Sequence, residues 1–137
     1  MNGVATQDDI LAIEAKGFPA DLPGSTYEMI QRGAAINPQA RALSFFLQTN
    51  DHTRPECWIY AQLMAEITKT ANAFHQLGAK KDTVIAFVLP NLPETQFVIW
   101  GGQAAGIVAA INPLLEAPAI TDLLNAANVS ILVTLAP

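Results

Sequence analysis

The chain has little charge and few side chains that bind metals or form covalent bonds. Only 14% of its 137 residues are charged, and 7 basic against 12 acidic residues give a formal net charge of −5. Because no cationic stretch is present to attract a phosphate backbone, we expect no nucleic acid partner. Hydrophobic residues make up 51% of the chain, which excludes a disordered protein and predicts a packed core.

Cysteine and signal-like segments are equally scarce. Cys57 is the single cysteine, so no internal disulfide can form, and the start Met-Asn-Gly-Val lacks the basic-then-apolar order of a secretory signal. The longest apolar stretch, residues 97–111, contains Gln103 and three glycines and is shorter than the roughly 20 residues that span a bilayer. These features predict a cytoplasmic protein without a transmembrane segment.

Motifs for phosphate, metal or nucleophile chemistry are missing. The sequence contains no glycine-rich loop ending in lysine and no dinucleotide-binding glycine pattern. His52, His75 and Cys57 lack partners at metal-ligand spacing, and the serines occupy predicted caps or strands. We therefore predict no catalytic, cofactor-binding or metal-binding residue in this chain.

The first third of the chain predicts an arm, a helix and a hairpin. Residues 1–24 combine an apolar cluster around Ile10 with Pro and Gly, which indicates a weak helix and a loop. Residues 25–137 are expected to form one unit. It begins with the capping-box spacing of Ser25 and Glu28, and that helix should end near Ala35, before Asn37-Pro38. Alternation over residues 42–49, a turn, and residues 56–60 predict a β-hairpin.

The rest of the chain predicts an α/β unit. The apolar positions 60, 63, 64, 67, 71, 74 and 77 follow a helical period, and Gly78 suits the position after the helix. Apolar runs at 84–89, 107–111 and 129–135 predict buried strands, alternating with helices at 94–105 and 118–127. This βαβαβ order predicts a parallel sheet. Because the 94–105 helix is apolar nearly all round and the sheet covers one side, we expect self-association near Trp100.

Two loops follow the carboxyl ends of predicted parallel strands, where open α/β sheets bind ligands. The first contains Pro90, Asn91 and Glu94, and the second contains Asn112 and Pro113. They are candidate site-edge loops. The alternative is that these residues only turn the chain and cap helices.

Five short motifs in a fixed order carry a family resemblance. They are Trp58-Ile59-Tyr60-Ala61-Gln62-Leu63, Leu77-Gly78-Ala79, residues 84–89 followed by Pro90-Asn91-Leu92-Pro93-Glu94, Ala105-Gly106-Ile107-Val108, and Asn112-Pro113-Leu114-Leu115. From about Thr26 to Val133 the chain resembles the beginning of the adenylate-forming family, which includes acyl-CoA synthetases, luciferases and peptide-synthetase adenylation domains. It departs from that pattern at Ile59, where members usually have a capping Thr, and at Ala110, where many have Pro.

The resemblance implies the large N-terminal domain of an AMP-forming acid–CoA ligase. Such an enzyme uses ATP and Mg²⁺ to convert a carboxylic acid, here a fatty acid, to an acyl adenylate, and then transfers the acyl group to coenzyme A. The family's nucleotide-binding motifs lie further along a longer chain, so the resemblance implies a non-catalytic, truncated domain whose partner is the remainder of its own polypeptide. Two alternatives stay open: a carrier-protein thiol as acceptor, or a free-standing flavodoxin-like binding module.

Overall fold

The computed structural model describes residues 4–18 and 20–135. Residues 1–3 and Pro19 of the predicted arm, and residues 136–137 of the predicted domain, lie outside the described residues. In chain order the elements are α1 (Gln7–Glu14), α2 (Thr26–Ile36), β1 (Arg41–Phe45), a 3₁₀ turn (Thr49–Asp51), β2 (Glu56–Ile59), α3 (Tyr60–Gln76), β3 (Val84–Val88), α4 (Pro93–Ala105), β4 (Ile107–Ala110), α5 (Ala117–Ala126) and β5 (Ile131–Thr134). The predicted α/β class, with a hairpin and helix before a βαβαβ unit, is confirmed.

Strand β3 lies in the middle of a three-stranded parallel sheet with the order β4-β3-β5. Ile85 is in register with Val108 on one side and with Ile131 on the other. Its side chain is fully buried, as expected for the central strand of a parallel sheet. The two remaining strands, β1 and β2, form a separate antiparallel pair.

The core lies on the sheet face that carries Ile85 and Phe87. Helices α3 and α4 cover this face with Phe74, Val98 and Ala105, all buried in one hydrophobic cluster. The opposite face is less well covered, since Ile107 of β4 and Leu132 of β5 are each about half exposed. Apolar surface therefore remains open on the far side of the sheet.

Helix α4 is covered on several sides, so the expectation that only the sheet covers it is wrong. It packs against α3 and α2 as well as against the sheet. Close approach is possible because Gly101 faces α3 and Gly102 faces Val108 of β4. Trp100 is half-buried as a result.

The ends of α3 follow the sequence pattern closely. Ile59 supplies no side-chain cap, but Gln62 Oε1 accepts a hydrogen bond from the Ile59 N–H at 3.0 Å and stabilises the helix start. At the other end Gly78 has φ +90°, and the amide of Ala79 donates to the carbonyl of Phe74 at 2.9 Å. This is the Schellman arrangement that the glycine predicts.

Some predicted apolar positions are not core. Strand β1 ends at Phe45 rather than continuing to residue 49, because a bend and the 3₁₀ turn follow, and Leu47 is exposed. Leu77 caps α3 instead of extending its buried stripe and is also exposed. In the arm, Ile10 belongs to α1, a helix without a buried residue. Within the described part of the chain, no helix has both the length and the apolar character needed to cross a membrane.

Candidate functional site

The two candidate site-edge loops are neighbours at one edge of the parallel sheet. Pro90 follows β3 and Asn112 follows β4, and these strands pair with Phe87 opposite Ala110. The amide of Ile111 also donates to the carbonyl of Phe87 at 3.0 Å, so the pairing continues up to the loops. The two loops therefore leave the sheet side by side.

A buried threonine holds the loop between β3 and α4. Thr95 Oγ1 donates to the carbonyl of Pro90 at 2.6 Å and accepts from the amide of Leu92 at 3.4 Å. Pro93 begins the helix at a position where its missing N–H needs no partner. Sequence reasoning missed Thr95, although a hydroxyl residue at the third helical position is a recognisable signal for a reciprocal cap.

The second loop is shaped by its own backbone. Asn112 Oδ1 accepts a hydrogen bond from the amide of Leu114 at 3.0 Å, which is an Asx turn. Asn112 and Pro113 are both exposed, as are Pro90 and Asn91 in the first loop. The exposure of all four residues and the Asx turn at Asn112 are typical of turn-forming positions, which fits the alternative interpretation.

Glu94 differs from the other candidates because it lines a cavity. This edge cavity has a volume of about 400 Å³ and lies between the hairpin, the carboxyl ends of β3 and β5, and the start of α4. Its lining consists of Phe45, Glu56, Trp58, Leu89, Leu92, Pro93, Glu94 and Leu135. The edge cavity is the candidate site that the structure adds, and only Glu94 of its lining was among the predicted site-edge residues.

The aromatic wall of the edge cavity connects the hairpin to α4. The ring of Trp58 meets the ring of Phe97 edge-to-face, with 6.0 Å between centroids and 70° between planes. Such pairs stabilise a contact by about 0.5–1.5 kcal/mol beyond area burial. Trp58 is half-buried, so one part of its ring packs while another part remains on the cavity surface.

The charge of the edge cavity is negative. Glu56 comes from β2 and Glu94 from the first turn of α4, and both line the cavity. Over residues 4–18 and 20–135 the salt bridges join Arg32 to Glu28 and Lys69 to Glu66, so neither cavity carboxylate is paired in this way.

The edge cavity has no cationic side chain in its lining that could pair with a nucleoside triphosphate. No lysine or arginine lines the edge cavity, and its two carboxylates repel an anion. The part of the chain that the structure covers also contains no group of three metal-ligating side chains. No step of a reaction is assigned to the described residues.

Comparison with known proteins finds two CoA ligases and a peptide synthetase that are similar to this chain. Marinolic acid–CoA ligase of Pseudoalteromonas is 38% identical over 98 residues, 72% of this chain and 15% of that protein. Crotonobetaine/carnitine–CoA ligase of Salmonella paratyphi A is 40% identical over 76 residues, 55% of this chain and 15% of that protein. A nonribosomal peptide synthetase of Arthroderma benhamiae, sidC, is 28% identical over 111 residues, 80% of this chain and 2% of that protein.

Solved structures show the same fold. The inhibitor-bound N-terminal domain of FACL13 from Mycobacterium tuberculosis superimposes with a TM-score of 0.70 at 21% identity, over 80% of this chain and 26% of that one. The chain thus spans only a small part of each of these proteins. Residues 30–137 match the family described as AMP-binding enzyme. The chain therefore belongs to the AMP-binding enzyme family.

Proposed function

We propose that this chain is part of an AMP-forming acid–CoA ligase. The family match over residues 30–137 is the observation that carries the proposal, and two of the similar proteins are CoA ligases. The reaction would join a carboxylic acid to the AMP part of ATP with release of pyrophosphate, and then pass the acyl group to the thiol of coenzyme A with release of AMP. The acid substrate would be a fatty acid or a related apolar acid, and the compartment the cytoplasm.

The contribution of this chain to such an enzyme would be structural. Residues 25–137 would be the first part of the large domain and residues 1–24 an arm before it. The loops containing Pro90, Asn91, Glu94, Asn112 and Pro113 would form the edge of a site whose nucleotide-binding groups are elsewhere in the polypeptide. The lack of a basic residue in the edge cavity supports a nucleotide-binding site formed by other parts of the polypeptide.

A second kind of acceptor is compatible with the same first step, the formation of an acyl adenylate. An acyl adenylate reacts equally well with the thiol of a carrier protein, and one of the similar proteins is a peptide synthetase. Coenzyme A is the preferred acceptor because the relatives with higher identity are CoA ligases. The flavodoxin-like alternative is replaced by the family assignment, since its only support was the βαβαβ order.

Calorimetry on this chain tests the structural role. Titration with ATP and Mg²⁺ should give no saturable binding tighter than about 1 mM, because the sequence contains no phosphate-binding glycine-rich loop. Saturable binding at tens of micromolar would contradict the placement of the nucleotide site outside these residues.

Pyrophosphate exchange tests the activity. The longest natural polypeptide that contains this sequence should exchange labelled pyrophosphate into ATP only when an apolar carboxylic acid is added. Thioester formation with coenzyme A, compared with a phosphopantetheinylated carrier protein, then distinguishes the two acceptors. Exchange that does not depend on any acid would reject the proposed reaction.

A further inference from the structure

We propose that the edge cavity binds a small organic monocation, a quaternary or protonated amine carried on an apolar body. This ligand class goes beyond the proposed ligase activity, because binding would occur whether or not the polypeptide forms acyl adenylates. The inference rests on three properties of the lining taken together: an aromatic wall, an aliphatic floor and carboxylates from two different elements.

The apolar part of the lining suits the body of such a ligand. Trp58 and Phe45 come from the hairpin, and Leu89 and Leu92 from the end of β3 and the loop after it. A volume of about 400 Å³ lies in the range of small-molecule sites. Among aromatic side chains, the indole ring attracts a cation most strongly through its electron-rich face.

The charged part of the lining selects for a positive head group. Glu56 and Glu94 take part in no salt bridge within the described ranges, and neither carboxylate appears there as a hydrogen-bond acceptor. Arg54, two residues before Glu56, forms no salt bridge in that part of the chain either, so it does not neutralise the Glu56 carboxylate by such a contact. An organic cation would place charge near both carboxylates while its methyl or methylene groups contact the aromatic wall.

The two carboxylates should contribute unequally. Glu94 lies in the first turn of α4, where the positive end of the helix dipole offsets part of its charge. Glu56 lies on a strand and has no such partner. Neutralising Glu56 should therefore weaken cation binding more than neutralising Glu94.

Paired ligands of matched shape test the inference on this chain. Choline and its neutral isostere 3,3-dimethylbutan-1-ol would be titrated while the indole N–H signal of Trp58 is followed by NMR, with Trp58→Phe assigning that signal. We expect choline to shift it saturably with a Kd of about 1 mM and the isostere to bind at least about fivefold more weakly. Phosphocholine should also bind more weakly than choline, because its phosphate is repelled by the carboxylates.

Variants distinguish choline binding in the edge cavity from non-specific attraction of choline to negative surface charge. Glu56→Gln should weaken choline binding about threefold to fivefold and Glu94→Gln by a smaller factor, whereas Asp122→Asn on α5, outside the cavity lining, should leave it unchanged. Amide spectra of each variant would verify the fold. Equal affinity for choline and the isostere, no saturable shift up to about 100 mM, or full binding by the Glu56→Gln, Glu94→Gln double variant would overturn the inference. None of these outcomes depends on pyrophosphate exchange, so the two proposals can fail independently.

Discussion

Gly101 of α4 lies so close to Thr70 of α3 that a Cβ atom added to the glycine would be 2.7 Å from the Cβ of the threonine. The carbonyl oxygen of Ile67 would be 2.8 Å from the same atom. Backbone and side chain of α3 therefore occupy the space that any larger residue needs. The contact fixes the separation of the two helices that cover the sheet.

Substituting Gly101 should destabilise the fold although alanine favours helices. Gly101→Ala should lower the free energy of unfolding by about 1–3 kcal/mol, because α3 and α4 must separate to admit the methyl group. Gly33→Ala is the matched control: it lies in α2, with no atom within 4 Å of an added Cβ, and should raise stability by about 0.5–1 kcal/mol. Urea denaturation measures both changes, and a stabilised Gly101→Ala variant would contradict the close packing.

Ile67 and Glu66 test the helical phase of α3. Ile67 is fully buried, so Ile67→Asp would place an unpaired charge among apolar side chains and should abolish folding. Ile67→Ala should retain the fold but lower stability by about 2–5 kcal/mol. Glu66 pairs with the exposed Lys69 at 2.7 Å, and Glu66→Ala should change stability by less than about 0.5 kcal/mol. Comparable losses for Ile67→Ala and Glu66→Ala would refute the assigned phase.

The features of α3 and β3 could be predicted because neighbours along the chain determine them. Periodic apolar residues place Ile67 and Phe74 in the core, and Gly78 ends the helix because the backbone there is left-handed. Leu77 shows the limit of that reasoning. It continues the apolar period by one position, but the helix has already ended, so its side chain points to solvent.

The edge cavity could not be predicted because its walls are distant in the sequence. Trp58 and Glu56 in the hairpin meet Glu94 and Leu89 only through tertiary packing, in part through the contact between Trp58 and Phe97. Glu94 was already a candidate in the sequence, since a carboxylate after a strand and at a helix start is locally recognisable. Nothing local indicates that Glu56 faces the same space.

Acid should loosen the start of α2. The Gly24 amide, and then Arg32, lower the pKa of Glu28 below the usual glutamate value of 4.5 by stabilising its charged form. Because the pKa in the folded state is the lower one, the contribution to stability is present above pH 4.5 and is lost as pH falls through the folded pKa. The protection factor of the Gly24 amide against hydrogen exchange should therefore fall as pH drops below 4.5. In Glu28→Gln the protection factor should already be low at neutral pH. Identical pH profiles for both proteins would rule out this role.

Self-association stays a prediction, but the structure moves its expected location. Trp100 is half-buried in the packing of α4, whereas Ile107 and Leu132 are about half exposed on the far face of the sheet. We expect light scattering to show a mass that rises with concentration, and Leu132→Lys to suppress that rise. Met29→Lys, an exposed apolar position on α2, is the control and should leave the association intact. A strictly monomeric mass at several hundred micromolar would defeat the prediction.

The order of strands in the sheet has a consequence for the nascent chain. Of the three strands in the parallel sheet, β3 is synthesised first, and both of its partners, β4 and β5, follow it in the sequence. At roughly 5–20 residues per second, ribosomes need several seconds to extend the chain from β3 to β5. During that interval the apolar run 84–89 emerges from the exit tunnel with unpaired edges, as a segment that chaperones of the translating ribosome can bind before the sheet closes around it.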